Sequence, residues 1–277
     1  MADEFQGDPS RPVLTRRNRR RSAFPPVVLL GVLVVIAAVA VAGWFWLRSR
    51  GDPEPIPSAG TDTLAPGLGM EEEPFVLPRL GASDEVVRQF ANGLASHPRL
   101  VEWLVTDDLI RRFVKAVVDI SRGSSPVPAL EMLIPDQPYT VRRSDELILT
   151  SPESHARYDA LAEVFTSVDP ADGAEVYRRL LPLFREAYQE LAVPEGEFEE
   201  VLARAVRNLL DVNVPERPLE LREAVGRYVY VEEGIEALTP AQKHMIRMGP
   251  ENARQVQEKL RELAAELELP LEAPPGG

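Results

Sequence analysis

His155 and Asp159 stand four residues apart, the spacing that puts two side chains on one face of a helix. A carboxylate so placed can orient an imidazole for general-base work. The same pair can be a plain surface ion pair. Arg157 and Tyr158 lie between the two and no nucleophile is identifiable, so no residue is given a catalytic role. His244 and Met248 repeat the spacing beside Gly249. A metal needs more ligands than one imidazole and one thioether, which leaves packing at a helix end as the reading. The run Asp169-Pro-Ala-Asp-Gly-Ala-Glu175 has the carboxylate density of a calcium loop. Such loops set their ligands at alternating positions so that one tight turn aims them inward. The spacing here is different, and Pro170 suits the entry to a helix. Tyr158, Tyr177 and Tyr188 fall on apolar helical stripes. They are either core residues whose hydroxyls reach a partner or the lining of a groove for a ligand or partner. With His155 and Asp159 they make up the candidate groove.

Composition removes further chemistries. The 277 residues contain no cysteine and three histidines far apart, so there is no thiolate metal site, disulfide or cysteine nucleophile. There is no G-x-S-x-G, H-E-x-x-H, P-loop or dinucleotide-binding glycine pattern, and Gly67-Leu-Gly69 lacks a third glycine. No metal or organic cofactor is called for. The net charge of −13 argues against nucleic acid as a partner.

The elements that would position these residues follow a membrane segment. Residues 27–47 form an uninterrupted run of 21 residues without a charge. As a helix it would be about 31 Å long, matching a hydrocarbon core of about 30 Å. Trp44, Phe45 and Trp46 stand at its far end, where interfacial aromatics belong. The run is longer than the apolar core of a cleaved signal peptide, whose length is about 7–15 residues, so it is read as an uncleaved anchor. Residues 1–47 carry six arginines against three acidic residues, a net +3, and residues 48–277 a net −16. The arginines lie in the 1–26 tail, which is therefore cytoplasmic. Gly31, Val35, Ala38 and Ala42 share one face of the span, a small-residue stripe that permits weak homodimerisation in the bilayer.

Residues 48–80 are rich in proline, glycine and glutamate and show no period, so they read as a disordered spacer. From 81 to 270 the composition is globular, enough for one domain with its own core, and 271–277 is a loose tail. The pattern predicts helices over 84–95 with Ser83 as cap, 97–105, 107–121 capped by Thr106, 153–166, 174–192 bent at Pro182, and 197–211. A further helix over 240–248 should stop at Gly249, and a last one should run from Pro250 to Leu269. Hairpin strands are expected on either side of Arg143-Ser144-Asp145, with further short strands at 219–221 and 227–231. The fold class is mainly α, α+β at most.

Three stretches carry a family resemblance: His155-Ala-Arg-Tyr-Asp-Ala-Leu161, Tyr177-Arg-Arg-Leu-Leu-Pro-Leu-Phe-Arg-Glu-Ala-Tyr-Gln-Glu-Leu191, and Ala241-Gln-Lys-His-Met-Ile-Arg-Met-Gly-Pro-Glu-Asn252. Over roughly 81–270 the chain resembles the bacterial domain-of-unknown-function family numbered 3014. It departs from the family pattern at Ala192-Val193-Pro194, where a glycine would follow the leucine. The resemblance implies a bacterial protein with an N-terminal membrane anchor and a linker before the domain, and it brings no activity or catalytic residue with it.

These readings combine into one expectation. The chain is a single-pass protein of the bacterial inner membrane whose periplasmic domain binds or scaffolds an envelope protein or peptide, and is more a binder than an enzyme. The alternative is a membrane-tethered envelope hydrolase using paired carboxylates. With 41 acidic residues after residue 47, some carboxylate pair arises by chance.

Overall fold

The structure is a computed structural model that describes residues 77–94, 97–191 and 196–272. The expected span at 27–47, nearly all of the spacer, the turn at 192–195 and residues 273–277 lie outside the described residues. Nine α-helices and four strands are assigned within them. In chain order they are α1 (Asp84–Leu94), α2 (Pro98–Trp103), α3 (Leu109–Ser121), β1 (Val141–Ser144), β2 (Leu147–Thr150), α4 (Pro152–Ala156), α5 (Asp159–Thr166), α6 (Pro170–Glu190), α7 (Phe198–Leu210), β3 (Glu220–Ala224), β4 (Arg227–Tyr230), α8 (Glu233–Glu236) and α9 (Pro240–Glu266). The domain is mainly helical with one small antiparallel sheet. Among the described residues no helix is long and apolar enough to cross a membrane.

The helical core forms where the apolar stripes of α3, α6, α7 and α9 face one another. Phe113, Phe184 and Phe198 meet at its centre, with ring centroids 4.7 to 6.2 Å apart, in the tilted and edge-on arrangements that aromatic quadrupoles favour. α6 runs on through Pro182. That proline and Arg178, whose carbonyl it leaves unpaired, are both on the exposed face, where water can take the lost bond.

The sheet joins two hairpins about 70 residues apart in sequence, in the order β1-β2-β3-β4. Ser144 pairs with Leu147, so the turn is Asp145-Glu146, with Asp145 at φ 51°, one residue later than the Arg143-Ser144-Asp145 expected. Two further expectations fail, the first through a non-local partner and the second through a local one. Thr106 does not cap α3. The helix starts at Leu109 after Asp108 at φ 59°, and the carboxylate of Asp84, on α1, accepts the N–H groups of Asp108 and Leu109 at 2.8 and 2.9 Å. Ser83 turns its hydroxyl back to donate to the Leu80 carbonyl at 2.7 Å.

The helix expected over 153–166 is two, α4 and α5, joined at Arg157-Tyr158 by a tighter turn in which the Tyr158 N–H donates to the His155 carbonyl at 2.9 Å. The last two expected helices follow one another as α9 across a kink, where Gly249 leaves helical geometry at φ 80°, ψ 166°. That break is where the sequence placed it. Thr239 and Gln242 close a reciprocal capping box at the start of α9, satisfying two N–H groups that a helix start otherwise leaves open.

Candidate functional site

The break in α9 makes a notch, and His155 from α4 fills it. A β-carbon placed on Gly249 would stand 2.5 Å from Cγ of His155 and 2.6 Å from its Nδ1, so the ring packs directly on the glycine backbone. Asn252, one turn further along α9, stitches the joint. Its side-chain amide donates to the His155 carbonyl at 3.2 Å, to Oδ1 of Asp159 at 2.9 Å and to the Met248 carbonyl at 3.3 Å. The Met248 carbonyl is among those that the helix break deprives of regular helical partners, and the side chain supplies a donor to it.

Of the five groove residues read from the sequence, the fold brings His155, Tyr158 and Asp159 to this joint. No ion pair links the imidazole to Asp159, whose carboxylate takes the Asn252 amide instead. Burial pushes the His155 imidazole below its ordinary range, with Asp159 and then Glu153 pulling the other way. A group that protonates less readily when folded contributes stability above its unfolded value of about 6.5, and that stability is lost as the pH falls from there through the folded value. The melting midpoint is therefore expected to decline below about pH 6.5, before the carboxylates titrate. His155→Gln should flatten that part of the profile, as measured by calorimetry at closely spaced pH values; an unchanged slope would place the loss elsewhere.

Tyr177 and Tyr188 have different surroundings. Tyr177 stacks on Phe184 at 5.5 Å and Tyr188 lies 5.8 Å from Phe198, both within the aromatic core. The Tyr177 hydroxyl is buried without a hydrogen-bond partner among the described residues, and burial raises its pKa. His244, from the His/Met pair, bonds through Nε2 to the Ser125 hydroxyl at 2.9 Å. Spacing could not forecast this contact, because 119 residues separate the two. Asp169 caps α6, its carboxylate accepting the N–H groups of Ala171 and Asp172 at 2.9 and 3.1 Å. Among the described residues no group of three or more His, Asp or Glu side chains is placed to hold a metal ion.

A recess of about 240 Å³ opens between α2, the 132–137 loop and the α4–α5 joint. Trp103, Met132, Ile134 and Leu161 give it apolar walls, and Arg99, Glu102, Asp136 and Arg157 give it charge. Its two carboxylates, Glu102 and Asp136, both bind Arg99, at 3.2 and 3.4 Å. The guanidinium of Arg157 lies 5.7 Å from the ring centres of both Tyr139 and Tyr158, within cation–π range. Sequence reasoning passed over Arg157 as a spacer between His155 and Asp159. The signal available was an arginine inside an otherwise apolar stripe.

Two of the three stretches that carry the family resemblance, 155–161 and 241–252, meet at this joint. The sequence model of the family described as Protein of unknown function (DUF3014) matches residues 109–264. The chain belongs to the DUF3014 family. No curated protein and no solved structure matches it.

Proposed function

We propose that this DUF3014 chain is a membrane-tethered binding protein of the bacterial envelope, whose helical domain holds a protein or peptide partner in the recess beside the α4–α5 joint. One observation carries the choice of binding over hydrolysis: the two carboxylates of the recess are both held by Arg99. A glycan-hydrolysing pair needs one carboxyl kept protonated as the acid and a second left open to act as base or nucleophile. With both carboxylates so held, the recess offers fixed charges beside a few apolar side chains, contacts suited to recognising a polar segment of a partner.

The tether rests on the sequence. The uncharged run at 27–47 follows five arginines within ten residues of Pro26 and is followed closely only by Arg48 and Arg50, a bias that puts the N-terminus in the cytoplasm and the domain outside. A spacer between anchor and domain raises the effective concentration of the domain for partners near the membrane. Tyr158, His155 and Asp159 sit in the α4–α5 joint next to the recess-lining Ala156, Arg157 and Ala160.

A reporter enzyme active only outside the cytoplasm, fused after Gly277, is expected to be active, and proteases added to spheroplasts should remove the domain. A silent reporter with a protected domain would overturn the envelope assignment. Crosslinking from the recess, with a photoreactive residue at Met132, should trap a partner that the same residue at the distant, exposed Val225 does not.

A further inference from the structure

We propose that Arg157 and Arg247 form an oxyanion-binding subsite at the inner side of the recess, taking a carboxylate or phosphate group of the bound partner or of a small ligand. The inference rests on the binding role proposed for the recess and names the chemistry that the recess would recognise.

The first observation is the state of Arg157. All three of its guanidinium nitrogens are buried, and none has a hydrogen-bond partner among the described residues. A guanidinium carries five N–H donors and stays charged at any ordinary pH. Burying it without acceptors is among the costlier arrangements a fold can hold. The flanking rings of Tyr139 and Tyr158 stabilise the charge through their faces but accept none of the in-plane donors.

The second observation is what surrounds it. Arg247, on α9, acts electrostatically on Tyr139, Tyr158 and Tyr230, so it lies near the same tyrosine cluster. Neither arginine forms an ion pair with a carboxylate among the described residues, although Arg99, Arg111, Arg143, Arg185 and Arg217 all do. The tyrosines cannot serve as counter-ions. Burial pushes Tyr158 up to about 12 and raises Tyr139 and Tyr230 as well, so their hydroxyls stay neutral. Glu236, the carboxylate that acts on Tyr230, is already taken by the Tyr230 N–H at 3.0 Å and by Lys243 at 2.9 Å.

The third observation is access. Arg157 also lines the recess, and Tyr139, Tyr228 and Arg247 are each only half-buried. A turn of the Arg157 side chain toward the recess would present its planar fork to an oxyanion there, the geometry that recognises carboxylate and phosphate bidentately.

The test uses the full chain in a neutral detergent, titrated calorimetrically with inorganic phosphate and, separately, with succinate. Saturable binding with one site per chain is expected for at least one of the two, and which one binds tells phosphate chemistry from carboxylate chemistry. Arg157→Met should weaken that binding at least tenfold, and Arg247→Met several-fold. Without ligand, Arg157→Met should melt at or above the midpoint of the unsubstituted chain, because an apolar side chain of similar length removes an unpartnered buried charge. Arg247→Met, at a half-buried position, decides the matter if Arg157→Met does not fold. No saturable heat with either titrant, or binding unchanged by these substitutions, would overturn the subsite and leave Arg157 as a cation–π prop. Those results would leave the topology and crosslinking tests of the tethered recess standing on their own.

Discussion

Gly249→Ala is expected to cost about 4 kcal/mol and to lower the melting midpoint by about 10 °C. Two independent penalties combine at that position. The backbone sits at φ 80°, where a β-carbon meets its own chain and an L-residue loses about 1–2 kcal/mol. The new methyl would also lie 2.5 Å from Cγ of His155 and 2.8 Å from its Cβ, and overpacking a tight interior contact costs about 1–3 kcal/mol more. The ring has little room to retreat, since the carbonyl of its own residue is fixed by Asn252. His155→Ala in the Gly249→Ala background removes Cγ and the imidazole nitrogens and should recover part of the loss, but not the backbone share. Gly234→Ala is the control. That helical glycine has open space where a β-carbon would go, so the same substitution should be neutral or stabilising. Thermal melts of the three variants check this, and a Gly249→Ala midpoint within 2 °C of the unsubstituted chain would sink the notch account.

This notch also shows how far the sequence could be read. The stop at Gly249 and restart at Pro250 were visible because glycine frees φ and proline fits a first helical turn; both are local properties. Periodicity found the helices and the buried stripes for the same reason. It passed straight over the joint at Arg157-Tyr158 because both residues keep right-handed helical angles, φ −59° and −101°, so the register of Tyr158, Leu161, Ala162 and Phe165 scarcely changes across it. What could not be read was set by distant partners. The cap of α3 comes from Asp84. The partner of Asp159 is Asn252, 93 residues away, and not the histidine four residues before it. The stripe containing Tyr177 and Tyr188 looked the same in sequence as the one containing Tyr158, because periodicity reports that a face is buried and not what it is buried against. Arg157 was legible only as an irregularity, and its meaning depends on Tyr139, whose ring reaches it from a loop.

Asn252→Asp should be the most damaging conservative replacement in the domain, costing about 3–5 kcal/mol at pH 7. Asn252 is 6% exposed, and its amide nitrogen donates to three oxygens: two main-chain carbonyls and the Asp159 carboxylate. Exchanging that nitrogen for a carboxylate oxygen turns every one of those attractions into a repulsion and sets a second negative charge against Asp159, with no cation bonded to either. Asn252→Ala removes the donors without adding charge, and leaving buried acceptors unsatisfied should cost about 2 kcal/mol. The two variants also part company with pH. The introduced carboxyl is stabilised by protonation in the fold, so its folded pKa lies above its unfolded one. Its penalty is complete at pH values above the folded pKa, and it shrinks as the pH falls through that value. Denaturant unfolding at pH 7 and at pH 5 should therefore show the gap between Asn252→Asp and Asn252→Ala narrowing on acidification. A gap that is absent at pH 7, or that stays constant between the two pH values, would mean that Asn252 is not the buried donor holding α9 to the α4–α5 joint.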